Sequence, residues 1–257
     1  MRILASLLLL TCALCPAQKA DPVEIDLLTH AEIYEAIHKQ GKTTVLVFNG
    51  GTEQRGPHAV LGGHTLMARR RAEVIARRLG NALVAPVLPF SPAASHLNAK
   101  WPGSVDLPAD LYVRVNEAVV ASMVTNGFRD IVLMGDHGGG QAELEKLART
   151  MDAKYAAQKV HVYFCGSVYR KARDDFNAWL KQQNLPVGTH ASIPDTSELM
   201  YLGGDAFVRR DRLVAGSPDN GITGDPRPSS AELGKRVFDM KVEYGVEEIR
   251  RLVAGRR

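Results

Sequence analysis

The chain has 257 residues, 45% of them hydrophobic and 23% charged, with a formal net charge of +4. This balance supplies a packed core and suits one large α/β domain or two small ones. Lysines and arginines are scattered apart from "ARRRAEVIARR" (68–78), which reads as the solvated face of a helix, so nucleic acid is an improbable partner.

The chain opens with "MRILASLLLLTCALCPAQKA": one arginine, an apolar run, then small residues near Ala17. This is the layout of a secretory signal peptide, and the run is too short to span a bilayer comfortably. Thr11 and Leu14 are poor residues before a lipidated cysteine, so cleavage after Ala17 is expected instead of lipid anchoring. The expected mature protein, residues 18–257, is a single domain that is periplasmic or secreted, with no membrane attachment. Losing Arg2 lowers its charge to about +3. Its remaining cysteine, Cys165, lies in the apolar run "KVHVYFC" and is expected to be buried, with no internal disulfide possible.

Helical spacing marks residues 29–42, followed by a β-branched run at 43–49. A helix over 65–80 stops at Gly80, and a strand over 81–90 ends among prolines. A helix at 110–127, a strand at 130–136, a helix at 141–156, a strand at 159–165 and a helix at 170–184 follow. A short helix begins in "TSELMYLGG". Strands separated by helices predict a mostly parallel sheet covered on both faces.

Ligands of open α/β sheets bind beyond the carboxyl ends of the strands. Three loops in that position carry histidines: "NGGTEQRGPHAVLGGHT" (49–65) with His58 and His64, "PFSPAASHLNAKWPGSVDLP" with His96, and "GDHGGGQ" with His137. His190 and Asp195 sit in a further polar stretch, "GTHASIPDTSELM". Glycines after His137 let the backbone turn sharply, but the Walker lysine and the dinucleotide spacing are absent, which excludes nucleotide binding. Glu53, His64 and His137 suit a borderline metal such as zinc or manganese. Asp136 or Asp195 could orient a ligand histidine. The bland alternatives are surface turns and, for Asp195, a helix N-cap. There is no Gly-x-Ser-x-Gly elbow to support a serine hydrolase.

Four ordered segments, "GGTEQRGPHAVLGGHT", "SHLNAKWPGSVDLP", "NGFRDIVLMGDHGGGQ" and "THASIPDTSELM", resemble the creatininase (creatinine amidohydrolase) family from about residue 43 to 205. The resemblance implies a three-layer α/β/α sandwich, hydrolysis of cyclic or linear amide C–N bonds with one or two divalent metals, and a homo-oligomer. It implies that Glu53 and His137 are metal ligands, that His190 serves catalysis, and that His58 and His96 line the substrate pocket. The chain also departs from the family pattern. Arg55 stands where the family has a metal-binding histidine, and His64 where it has a bridging aspartate. Asp136 and Gly140 replace asparagines, Ser104 replaces a threonine, and Asp195 replaces a glutamate.

A guanidinium stays protonated and has no lone pair for a metal. Arg55 is therefore expected to substitute for a second ion and to orient a substrate carboxylate or carbonyl. One zinc or manganese ion per subunit would be held by Glu53, His64, His137 and Asp195. Catalysis would rest on His190, Arg55 and Asp136, with His190 protonating the leaving nitrogen of a small-molecule amide. The rival expectation is an exported small-molecule-binding or catalytically degenerate paralogue.

Overall fold

Four apolar runs form one parallel sheet: β1 (Thr44–Asn49), β2 (Ala82–Val84), β3 (Asp130–Gly135) and β4 (His161–Phe164). Their spatial order is β2-β1-β3-β4. The first three are buried at every position, as strands covered on both faces must be. The computed structural model describes residues 22–255, so the expected signal segment lies outside the described residues.

The helices are α1 (His30–His38), α2 (Gly63–Leu79), α3 (Ala109–Thr125), α4 (Gln141–Tyr155), α5 (Arg170–Gln182), α6 (Ile193–Gly203) and α7 (Ala231–Ala254). α2 packs over β1 and β2 and against α7, while α3 and α4 pack together over β1, β3 and β4, completing the α/β/α sandwich. α7 lies beyond the last segment assigned from the sequence. Its buried Val237, Phe238, Val242, Val246 and Ile249 nevertheless recur on one helical face. Gly234 lets α7 approach α6 closely, since a Cβ there would stand 1.8 Å from the Ser197 carbonyl oxygen.

Three boundaries differ from the sequence pattern for identifiable reasons. The strand expected over 81–90 shrinks to three residues, because Pro86 and Pro89 cannot donate to a ladder. α2 begins at Gly63, so His64 sits in a first helical turn and not in a loop. The arginine run in α2 is not uniformly solvated. Arg69 and Arg70 are exposed, but Arg71 is fully buried on the stripe of Met67, Ala68, Ala72 and Ile75. Cys165 is buried as expected, and burial and the Glu248 carboxylate push its thiol well up, leaving it a poor nucleophile.

The topology fixes where a ligand can sit. From β1 the chain steps through α2 to β2 on one side, then returns through α3 to β3 on the other side of β1. Connections that diverge in this way open a crevice at the carboxyl ends of the two central strands. Asn49 stands opposite Gly135 in the register. The loop carrying Glu53 and the loop carrying Asp136 and His137 therefore leave the sheet side by side.

Candidate metal centre

Glu53 is held from the backbone outward. Its N–H donates to the Leu61 carbonyl at 3.1 Å, the next N–H donates to Ser104 Oγ at 2.8 Å, and the Thr52 carbonyl accepts from Val105 N–H at 2.9 Å. The carboxylate is 1% exposed. Oε1 lies 2.8 Å from His64 Nε2, 3.3 Å from Arg55 Nη1 and 3.4 Å from His190 Nδ1. Oε2 lies 2.7 Å from His137 Nε2 and 3.1 Å from His96 Nε2. One carboxylate thus gathers four imidazoles and a guanidinium from four segments of the chain.

Two donor sets converge on it, Glu53/His64/His137 and Glu53/His96/His190, each with its ligand atoms within 4.8 Å of one another. The first is wholly buried, and the second reaches solvent through His96, whose ring stacks on His190 at 4.4 Å. Imidazole and carboxylate donors fit zinc or manganese. The first set has the better support behind it. His64 Nδ1 lies 3.0 Å from Asp136 Oδ2, and an ionised carboxylate only accepts, so Nδ1 carries a proton and Nε2 is the nitrogen offered to the centre. At His137, Nδ1 accepts from Gly139 N–H at 3.0 Å, so the neutral ring carries its proton on Nε2 and donates it to Glu53. An ion bound here would displace the protons now shared with Glu53, and the Gly139 N–H would have to turn away for His137 Nδ1 to carry the ring's proton. Gly140, at φ +87°, makes the turn from this loop into α4.

Burial opposes ionisation of Glu53, but His64 and His137 overcome it and hold the carboxyl far below its usual range. Burial and Arg55 push His64 down, yet Glu53 and Asp136 outweigh them and raise it. His190 is lowered to about 4, first by burial and then by Arg55 against the opposing pull of Glu53. Its Nε2 lies 2.7 Å from the Gln54 backbone carbonyl and 3.1 Å from the Gln54 side-chain nitrogen, and its Nδ1 faces Glu53.

Several residues singled out from the sequence occupy other positions than expected. Asp195 stands outside both donor sets. Its carboxylate lies 2.9 Å from Arg55 Nη2 and accepts from Ala191 N–H at 3.1 Å, in the first turn of α6. Arg55 is fully buried between Glu53 and Asp195, with Nη1 3.3 Å from the first carboxylate and Nη2 2.9 Å from the second. Asp136 is 1% exposed, and its carboxylate meets His64 and Arg71, as a residue that orients a ligand histidine would. His58 is fully buried against Thr196 Oγ1 at 3.0 Å instead of lining a substrate pocket, and burial with Arg55 lowers it to about 4. His96 and His190 come to Glu53 itself, a placement their separate loops did not reveal.

The family model for "Creatininase: Creatinine amidohydrolase" matches residues 26–249. The chain belongs to the creatininase family. A "Mycofactocin precursor peptide peptidase" of Mycolicibacterium smegmatis is 26% identical over 231 residues, covering 80% of this chain and 84% of that protein. A "3-dehydro-scyllo-inosose hydrolase" of Thermotoga maritima is 28% identical over 94 residues, 37% of this chain and 30% of that one. Among solved structures, "Creatininase Mn" superposes with a TM-score of 0.74 at 20% identity, covering 90% of this chain and 98% of that chain. A creatininase mutant described as "Zn-Zn type" gives 0.73 at 21% identity with the same coverage. Four site residues of this creatininase-family chain form two touching pairs, His64 with Asp136 and Arg55 with Asp195. Each pair joins an anion to a group that it complements.

Proposed function

We propose that this protein is a metal-dependent hydrolase of an amide C–N bond that holds one divalent ion, zinc or manganese, at Glu53, His64 and His137. The observation that carries this is the convergence of those three buried donors, with Asp136 behind His64 fixing which nitrogen faces inward. When bound, such an ion supplies Lewis acidity at the scissile carbonyl and lowers the pKa of water.

The chain's own residues do the rest. His190 stands beside the centre with Nδ1 3.4 Å from Glu53 Oε1, and burial lowers its pKa to about 4, which favours the neutral ring at pH 7. It takes up the proton released when water adds to the amide carbon and returns it to the leaving nitrogen. Proton uptake therefore precedes the acid role expected from the sequence. Arg55 supplies fixed positive charge beside the centre, where low polarity strengthens its effect on a developing oxyanion. His96, partly exposed, links the buried donors to solvent, so we place substrate entry on its side.

The substrate we favour is a small cyclic or linear amide. The matched peptidases favour a second reading, a peptide bond near one end of a short chain. The test is hydrolysis of a panel of cyclic amides, linear amides and short peptides by the chelator-stripped protein, before and after zinc or manganese is restored. Metal-restored turnover of any member supports the proposal, and the member cleaved separates the two substrates. Ion binding without turnover of any member would favour the binding-protein alternative. Export, proposed from residues 1–17, is checked by sequencing the mature N-terminus.

A further inference from the structure

Beneath His64 lies a row of buried charges drawn from four elements. Asp136 follows β3, Arg71 is on α2, Glu198 on α6 and Lys241 on α7. All four are at most 4% exposed. Arg71 Nη2 pairs with Asp136 Oδ1, and Arg71 Nε lies 2.8 Å from Glu198 Oε1. Lys241 Nζ lies 2.8 Å from Glu198 Oε2 and 3.9 Å from Asp136 Oδ1.

Two carboxylates and two cations balance, so the row is neutral without drawing a charge from His64. That balance depends on Lys241. Without it, Arg71 alone would face two buried carboxylates, and an unpaired buried carboxylate is expensive. Arg71 would then be drawn off Asp136 towards Glu198. Asp136 would lose the partner that fixes its second oxygen, and with it the geometry of its bond to His64.

We propose that Lys241, through Glu198 and Arg71, is a positioning residue for the metal-facing nitrogen of His64, tying the C-terminal helix to the centre. This rests on the proposed ion site at Glu53, His64 and His137. Outer partners of a ligand histidine contribute to metal affinity because they fix its tautomer and aim.

The test compares single variants with a paired one, read in two ways. The variants are Lys241→Met, Lys241→Arg and the pair Glu198→Met with Lys241→Met. One readout is zinc affinity by competition with a chromophoric chelator. The other is the downfield NMR signal of the His64 Nδ1 proton, followed with and without zinc. Lys241→Met should weaken zinc binding by about 10–100-fold and shift or broaden the proton signal, and Lys241→Arg should recover most of both. The double variant removes the odd carboxylate together with the cation, leaving Arg71 to Asp136. It should bind zinc nearly as well as wild type although it has lost two buried groups.

Wild-type affinity and an unmoved proton signal in Lys241→Met would overturn the proposal. A double variant as weak as the single would overturn it too, because a merely structural lysine loses more when its partner goes as well. If the wild type binds no zinc, the ion site itself fails. The Nδ1 proton signal across the same variants then still decides whether Lys241 positions His64.

Discussion

The two flanks of Glu53 use the same carboxylate differently. On one flank stand His64 and His137, with Asp136 behind His64. On the other stands Arg55, with Asp195 behind it. Both have the form of a nitrogen group between two acids, and both nitrogen groups are buried. The imidazoles can give up a proton and offer a lone pair to an ion, whereas the guanidinium cannot. One flank is therefore a place for a cation, and the other already contains one.

Removing the group shared by both flanks should do most damage. Glu53→Gln keeps the shape but loses the anionic donor. Zinc affinity should fall by more than the roughly 10–100-fold typical of an outer partner, and amide hydrolysis should vanish with it. Zinc retained in full by this variant would show that the ion does not use Glu53.

Arg55→Met attacks one flank only. It leaves Glu53 and Asp195 facing each other across a buried methionine. Breaking a buried pair from one side costs about 3–5 kcal/mol, which denaturant unfolding of the metal-free protein will register. A cost near zero would mean that water or an ion already shares the arginine's work.

The histidines around the centre also differ in their response to acid. His58 and His190 are each held at about 4, below the unfolded value of about 6.5. Between those values the unfolded chain binds more protons than the native one, so stability rises with pH in that window and falls as pH drops through it. Each histidine contributes up to about 1.4 kcal/mol per pH unit. His64 has the opposite sign. Its raised value gives stability that is present in acid and lost as pH rises through its folded pKa. Replacing His58 with glutamine should flatten the acid limb of the stability curve, and an unchanged slope would show that His58 does not titrate there.

The smallest effect belongs to a pair with the same chemistry in water. Lys39 and Glu35 approach to 3.4 Å but are 68% and 52% exposed. Lys39→Ala should cost no more than about 0.5 kcal/mol. Set beside Arg55→Met, it measures what burial adds to an ion pair.

Much of the fold was legible because it rests on periodicity. The four strands and their order of alternation follow from apolar runs and helical stripes between them. Glu53, His64 and His137 were legible together because their loops leave one edge of the sheet. Local sequence could not convey what each polar group would meet across the fold. Asp195 suited an ion as well as it suited an arginine, and only the approach of α6 to the Glu53 loop decides which it meets. His96 and His190 lie on separate loops, and nothing in either predicts that their rings would stack. Arg71 hid among arginines that are solvated, although its place on the stripe with Met67, Ala68 and Ile75 marked it. Glu198 and Lys241 became significant only when α7 closed over α6.

The most direct measurement is zinc per chain, by mass spectrometry under metal-replete conditions, in the wild type and in Arg55→His. A single ion-holding flank requires about one ion in the wild type, and a lone-pair donor at position 55 should raise this to about two. Two ions in both proteins, or none in either, would contradict an arginine that closes one flank while the other stays open to an ion.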